Sequence, residues 1–343
     1  MEFALASSLR LLRRDDEADA VLRRLIDEHP AFDPAPQALF ESLLGRGRAS
    51  EAVSVLQAWM ARDPRGVGVR LLQARVFMLA QRNDAAESML LALLADRPDE
   101  IMAWELLGAL YQNTGDKDGL EKRLREALAK RPDDLTAVRR LAQLLAEGGR
   151  AGDAVAVVDA ARRAVRHAEQ VYMLSHLYEP AGRKDLTEAT LREALKIDPR
   201  HAGAANDLGY MMADDGRNLA ESERLIRMAV EAEPDNHAFL DSLGWVLYKQ
   251  GRFAEAAEQL GRAVESSLRP DPVVLDHYGD ALYRLGRVQE AAERWRAASE
   301  RAERGTPLLR AVEEKLRRHR AGEKVETAPL AAEQERGIET PAG

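Results

Sequence analysis

The stretch WELLGALYQNTGDKDGLEKRLREALAKRP, residues 104–132, decides the fold. Trp104, Leu107, Gly108 and Tyr111 fall within about 100° of one another on a helical wheel, so they form one apolar stripe on a first helix. Gly115 supplies a left-handed turn. A second helix carries its own stripe with Leu124 and Ala127. Pro132 closes it, since proline has no N–H to donate and its ring clashes with the preceding turn. A single helix pair cannot bury its apolar face alone, so the unit needs neighbours.

The neighbours are in the sequence. Pro30, Pro64, Pro98 and Pro132 recur every 34 residues, and the spacing resumes at Pro199 and, after a one-residue insertion near Asn218, at Pro234. Small and apolar residues return with the same offsets: Leu208, Gly209, Gly216 and Ala229; Leu243, Gly244, Gly251, Ala256, Leu260 and Ala263; Tyr278, Gly279, Gly286, Ala291, Trp295 and Ala298. Weaker copies begin near Asp33, Val67, Leu135 and Ala168. Gly or Ala at the eighth place of each copy allows the second helix to approach the first closely.

These residues resemble the tetratricopeptide-repeat (TPR) pattern. The resemblance implies an all-α fold, a right-handed TPR α-solenoid of stacked antiparallel helix pairs. The chain is divided into a partial repeat over 1–32, eight repeats over 33–305, a capping helix over 306–322 and a disordered acidic tail over 323–343. Met1 falls inside the first helix of the partial repeat, which suggests that this end packs on something or continues from a longer product. In the capping helix Leu309, Val312 and Leu316 are expected to face inward, and Glu313, Glu314, Lys315, Arg317 and Arg318 outward. The basic run Arg317 to Arg320 is read as complementing the helix dipole rather than as a patch for nucleic acid or anionic lipid. The tail holds five Glu against one Lys and one Arg.

Composition agrees with a helical array: 5% aromatic and 31% charged residues, with a formal net charge of -8. That charge repels a phosphate backbone, so nucleic acid is not an expected partner. The chain has no cysteine, which removes disulfides, zinc-thiolate sites and thiol nucleophiles. Its longest apolar run, around Met89 to Ala95, falls far short of the roughly 18 residues of a membrane span. Glu2 and Arg10 give the wrong charge order and length for a secretory signal, which reads as cytoplasmic residence. A processed or trimmed N-terminus would instead allow a periplasmic or exported protein.

No catalytic constellation, cofactor loop or metal-ligand spacing is present, and the chain is read as non-enzymatic. Asp276, His277 and Asp280 are the one local acidic and histidine cluster, read as ligand contact or solvation rather than a metal site. Function is sought on the stripe opposite the buried one, at places two, five, nine and twelve of each first helix. The family resemblance implies that this stripe lines the concave groove. In the last three repeats it reads Asn206 and Tyr210, then Asp241, Trp245 and Tyr248, then Asp276, Asp280 and Tyr283, with His277 beside them. Aromatic anchors among carboxylates predict a basic or amphipathic peptide or helix as guest. Trp245, mid-stripe, is the expected main contact.

Towards the N-terminus the stripe is mixed: Gln37, Glu41, Leu71, Arg75, Met78, Met102, Glu105, Arg139, Gln143, Tyr172 and His176. The Lys, Arg and Asn set with which related domains clamp chaperone tails is not there. The segments Asp241–Trp245 and Asp276–Asp280 resemble those of bacterial TPR proteins of poorly defined role. The sequence thus predicts an interaction scaffold or adaptor. Its alternative is the repeat arm or regulatory subunit of an enzyme complex whose catalytic part lies on another chain or upstream. No oligomeric state is assigned. An inner wall filled by the chain's own residues would contradict a groove open to a guest.

Overall fold

The computed structural model describes residues 1–331. Among these residues there are nineteen α-helices, one 3-10 segment and no strand. The chain divides into two compact units, Met1–Ala161 and a second beginning at Arg162.

In the first unit α1 (Glu2–Leu11) is followed by α2 (Asp15–Glu28), α3 (Pro34–Gly45) by α4 (Ala49–Arg62), α5 (Val67–Leu79) by α6 (Asn83–Asp96), and α7 (Ile101–Thr114) by α8 (Lys117–Lys130). Helices α9 (Leu135–Glu147) and α10 (Ala151–Ala164) follow, with the unit boundary inside α10. The N-terminal segment holds both α1 and α2. Ala6 and Leu22 share a buried cluster with Leu39, Leu43 and Trp59.

In the second unit α11 (Ala168–Ser175) runs into a 3-10 segment, His176–Ala181, before α12 (Lys184–Ile197). Pro180 lies inside the 3-10 segment; it cannot donate to an α-helical ladder, which accounts for the tighter winding there. The remaining helices are α13 (Ala202–Asp214), α14 (Leu219–Ala232), α15 (His237–Lys249), α16 (Phe253–Glu265), α17 (Pro272–Arg284), α18 (Val288–Arg301) and α19 (Pro307–Arg320).

The turn glycines behave as the period requires. Gly47, Gly115, Gly149, Gly182, Gly216, Gly251 and Gly286 all have φ between 69° and 80°, a region that costs an L-residue steric energy. The inserted residue of the sixth copy is absorbed at Asn218, itself left-handed at φ 50° just before α14; asparagine is among the residues that tolerate this conformation. In the second copy Gln81, at φ 56°, stands where the others have glycine.

Close helix approach is confined to some of the pairs. A Cβ on Gly209 would lie 2.6 Å from Ile226 Cγ1, one on Gly244 2.5 Å from Leu260 Cγ, and one on Gly279 2.5 Å from Trp295 Nε1. Gly108 differs: its nearest neighbours would be Arg140 Nη2 at 3.5 Å and Leu120 Cδ2 at 3.6 Å, ordinary contact distances. A cleft of about 560 Å³, lined by Gly108, Leu120, Arg140 and Leu144 among others, opens beside it.

Gly244→Ala is therefore expected to cost about 1–3 kcal/mol by overpacking. Gly108→Ala is expected to be neutral or to stabilise by up to about 1 kcal/mol through helix propensity. Denaturant unfolding of the two variants checks this; equal losses at both positions would contradict the packing difference.

Candidate functional site

The expected stripe is real as a geometric feature, but much of it is buried and internally paired. Successive first helices α13, α15, α17 and α19 contribute one rung each. Lys315, on α19, comes 35 residues after Asp280; it was expected to face solvent, and it is buried. The repeat period explains the correction, because Lys315 continues the rung positions Tyr210, Trp245 and Asp280.

Its ammonium donates to Asp276 Oδ1 at 2.7 Å and to Asp280 Oδ1 at 2.6 Å. Burial pulls the Lys315 pKa down, but Asp280 and Asp276 outweigh it and hold the group above its ordinary value. Asp280 Oδ1 also accepts from Trp295 Nε1 at 3.0 Å. Burial pushes the Asp280 carboxyl up, against the pull of Lys315 and of a backbone N–H from Ala328. A buried charge is tolerated only when paired and hydrogen-bonded, and this cluster meets that condition.

The next rung is also closed. His277 Nδ1 lies 3.0 Å from Asp241 Oδ1. Trp245, only 4% exposed, stacks on His277 with ring centroids 3.9 Å apart and on Tyr248 at 5.3 Å. Its Nε1 donates to Asp214 Oδ1 at 3.3 Å, and the Lys249 ammonium sits 5.0 Å from its ring centroid. The expected main contact is thus buried and partnered within the chain. The carboxylates meant to select a basic guest, Asp241, Asp276 and Asp280, already hold His277 and Lys315.

What covers the rungs of α15 and α17 is the chain itself. After α19, Gly322 turns at φ 69°, and residues 323–330 run without helix or strand along this face. Tyr283 Oη accepts from the backbone N–H of Val325 at 2.9 Å. Asp280 Oδ2 accepts from the N–H of Ala328 at 2.8 Å. Tyr248 Oη donates to the Ala328 carbonyl at 2.6 Å, and Arg284 Nε donates to Thr327 Oγ1 at 2.8 Å. Val325 and Ala331 are buried, and Ala328 and Leu330 pack on the same apolar cluster as Trp295 and Leu316.

The segment from Glu323 to Ala331, expected as the start of a disordered tail, is therefore a packed element; the rest of that expectation lies outside the described residues. Arg317 and Arg318, at the end of α19, pair with Glu323 at 3.0 Å and Glu326 at 2.7 Å.

On α13 the stripe residues are Asn206, which is buried, and Tyr210. Tyr210 is half-buried, its phenol pushed up by burial and by Asp214 and Asp241. Asn206 donates from Nδ2 to Asp207 Oδ1 at 3.0 Å, while its own Oδ1 is buried and accepts no hydrogen bond. Tyr172 Oη donates to Asp207 Oδ2 at 3.0 Å, and His176 Nε2 lies 3.4 Å from the same oxygen.

Seven of the nine predicted residues, Asp241, Trp245, Tyr248, Asp276, His277, Asp280 and Tyr283, are linked to one another or to the segment over them, Tyr210 packs on the same cluster, and Asn206 bonds to Asp207. Sequence reasoning missed the residues that meet them: Lys315, Arg284, Trp295, Thr327 and Ala328. Lys315 was findable from the 35-residue offset. No cluster of three or more His, Asp or Glu among the described residues could hold a metal ion, and no helix among them is long and apolar enough to cross a membrane.

The His277–Asp241 pair has a pH signature. Burial pulls the imidazole down, but Asp241, with Asp276 and Asp280 behind it, outweighs burial and raises the pKa. The resulting stability is complete below the unfolded value of about 6.5 and is lost as pH rises through the raised folded value. The melting temperature of the wild type should exceed that of His277→Gln most at about pH 6, and the difference should shrink towards about pH 9. A difference that stays constant or grows with pH would contradict the pairing.

Comparison with known proteins finds the same repeat. The chain is similar to a tetratricopeptide repeat protein from Parabacteroides merdae ATCC 43184, at 17% identity and TM-score 0.48, covering 73% of this chain and 97% of that one. It is similar to a chain of the APC/C hetero-tetramer Cut9-Hcn1 at 14% identity and TM-score 0.49, over 89% of this chain and 59% of that one. A thermophilic TPR protein in Thermus thermophilus is 18% identical, with TM-score 0.43, over 52% of this chain and 97% of that one. No curated protein matches the sequence. Family models described as tetratricopeptide repeat match residues 2–31, 43–110, 111–169, 171–201 and 213–272. With the helix pairs, turn glycines and 34-residue period in hand, the chain belongs to the tetratricopeptide-repeat family.

Proposed function

We propose that the chain is a protein-interaction scaffold whose C-terminal repeats hold an extended segment of a partner polypeptide along the inner stripe of α13, α15 and α17. The observation that carries this is the run of residues 323–330 on that stripe, with main-chain hydrogen bonds to Tyr283, Asp280 and Tyr248. A surface that accepts one extended segment has the donor and acceptor spacing to accept another.

The nine stripe residues divide by task in this reading. Tyr248, Asp280 and Tyr283 touch the segment. Asp241, Trp245, Asp276 and His277 form the packed wall beneath it. Asn206 and Tyr210 extend the track, Tyr210 with its half-buried phenol and Asn206 as a buried residue bonded to Asp207. A free groove selecting a basic peptide is not part of the proposal, because the carboxylates are neutralised from within. An open wall is not part of it either: at α15 and α17 a guest must take the place of residues 323–331.

A photo-crosslinking side chain, benzoylphenylalanine, in place of Tyr210 tests the reading, with the same group at exposed Glu293 on α18 as control. In cells expressing the full chain, the inner position should give adducts to another polypeptide and the outer one should not. Equal adducts at both positions, or adducts from Glu293 alone, would overturn the assignment of this face.

A further inference from the structure

We infer that residues 323–331 are a built-in ligand of the α15/α17 track, and that the partner this track fits is an extended segment of the same chemistry, which replaces them. The inference rests on the scaffold reading above and adds the identity of the competitor and the ligand's register.

The contacts define that register. The first anchored residue, Val325, gives its N–H to Tyr283 and buries its side chain. Two residues later, the Thr327 hydroxyl meets Arg284 and Tyr248. At Ala328 both main-chain groups are held, the N–H by Asp280 and the carbonyl by Tyr248, with Arg284 Nη2 3.4 Å from that oxygen. Ala331 is buried at the far end. Pro329 follows Ala328 directly, and a residue before proline is biased towards extended backbone, which presents N–H and C=O as this clamp requires.

Recognition is therefore mainly of backbone, with an aliphatic residue first, a hydroxyl two places on and a small residue third. Charge contributes little to the choice of ligand. Asp276 and the Oδ1 of Asp280 are taken by Lys315, and Asp241 by His277. Glu323 and Glu326, both exposed, pair with exposed Arg317 and half-buried Arg318, and pairs open to solvent are weak. A cationic peptide finds no unpaired carboxylate on these two rungs. The ligand class is thus a near-neutral, extended, small-aliphatic segment.

Displacement is feasible because the built-in ligand buries few side chains, Val325 and Ala331 among them. An attached segment acts at high effective concentration, so it sets a threshold that a partner must exceed.

The test uses the full chain. Val325→Asp with Ala328→Pro removes the aliphatic anchor and the N–H that Asp280 accepts, which should undock the segment without touching the track. A fluorescein-labelled peptide EKVETAPLA should then bind saturably. The wild-type chain, whose own segment competes, should need at least a tenfold higher peptide concentration. N-methylation of the peptide's alanine at the Ala328 position should reduce binding by tenfold or more, and a poly-lysine peptide of equal length should not bind.

Circular dichroism of the double variant establishes that the helices remain. If helical signal persists and the peptide does not bind, or if the N-methylated peptide binds as well as the unmodified one, the inference is overturned. The wild-type arm needs no substitution, so equal affinity for wild type and variant overturns it as well. Adducts from the Tyr210 position together with failure of this peptide would leave the scaffold and remove the built-in ligand; binding of the peptide without adducts would do the reverse.

Discussion

The C-terminal architecture depends on one buried ammonium. Lys315 lies between Asp276 and Asp280, and two carboxylates in so small and dry a space repel each other unless a cation lies between them. That cation comes from α19, so α19 must sit where a further first helix would sit, beside α17. Its end at Gly322 is then delivered to the edge of the inner stripe. Asp280 is the junction of three donors: Lys315 from α19, Trp295 from α18 and the Ala328 N–H from the segment beyond. Removing that carboxylate would leave the ammonium with Asp276 alone, strand an indole N–H and take away the acceptor that holds the segment at Ala328.

The stripe's aromatic residues follow from the same constraint. With the carboxylates neutralised internally, the wall is built by stacking: His277 on Trp245, Trp245 on Tyr248, Tyr248 edge-on to Phe253. Phenol oxygens at the rim, on Tyr248 and Tyr283, remain to meet main-chain groups. The segment lying on this wall is held there through main-chain groups, and its own Glu323 and Glu326 pair with Arg317 and Arg318 of α19.

The helix pairs were legible from the sequence because they rest on local physics: a helical apolar period, glycine at the left-handed turn, proline after the second helix. Gly251 and Gly286 are left-handed at the positions the pattern indicates, and Gly244 and Gly279 stand at tight approaches where the eighth place requires a small residue. Gly108, in the copy that matches the family pattern most closely, has room for a methyl group, so an identical residue did not imply identical packing. The stripe's membership was legible too, but not its burial. Trp245 and Asp280 looked solvent-facing from a single helix, since partners come from other elements: Asp214 and His277 for Trp245, and Lys315, Trp295 and Ala328, up to 48 positions away, for Asp280. Acidic composition suggested a disordered tail, yet Val325, Ala328, Leu330 and Ala331, with hydrogen bonds to Tyr283, Asp280 and Tyr248, pack its first part.

The most direct test of this account is hydrogen exchange at the amide of Ala328 in the intact chain at neutral pH. The account predicts exchange slowed at least a hundredfold relative to an unstructured peptide of the same sequence, with the Val325 amide slowed as well. It also predicts that Asp280→Asn, which weakens the acceptor, speeds Ala328 more than Val325. Exchange of both amides at the unstructured rate would mean that the segment does not lie on the track, and the central claim would fall.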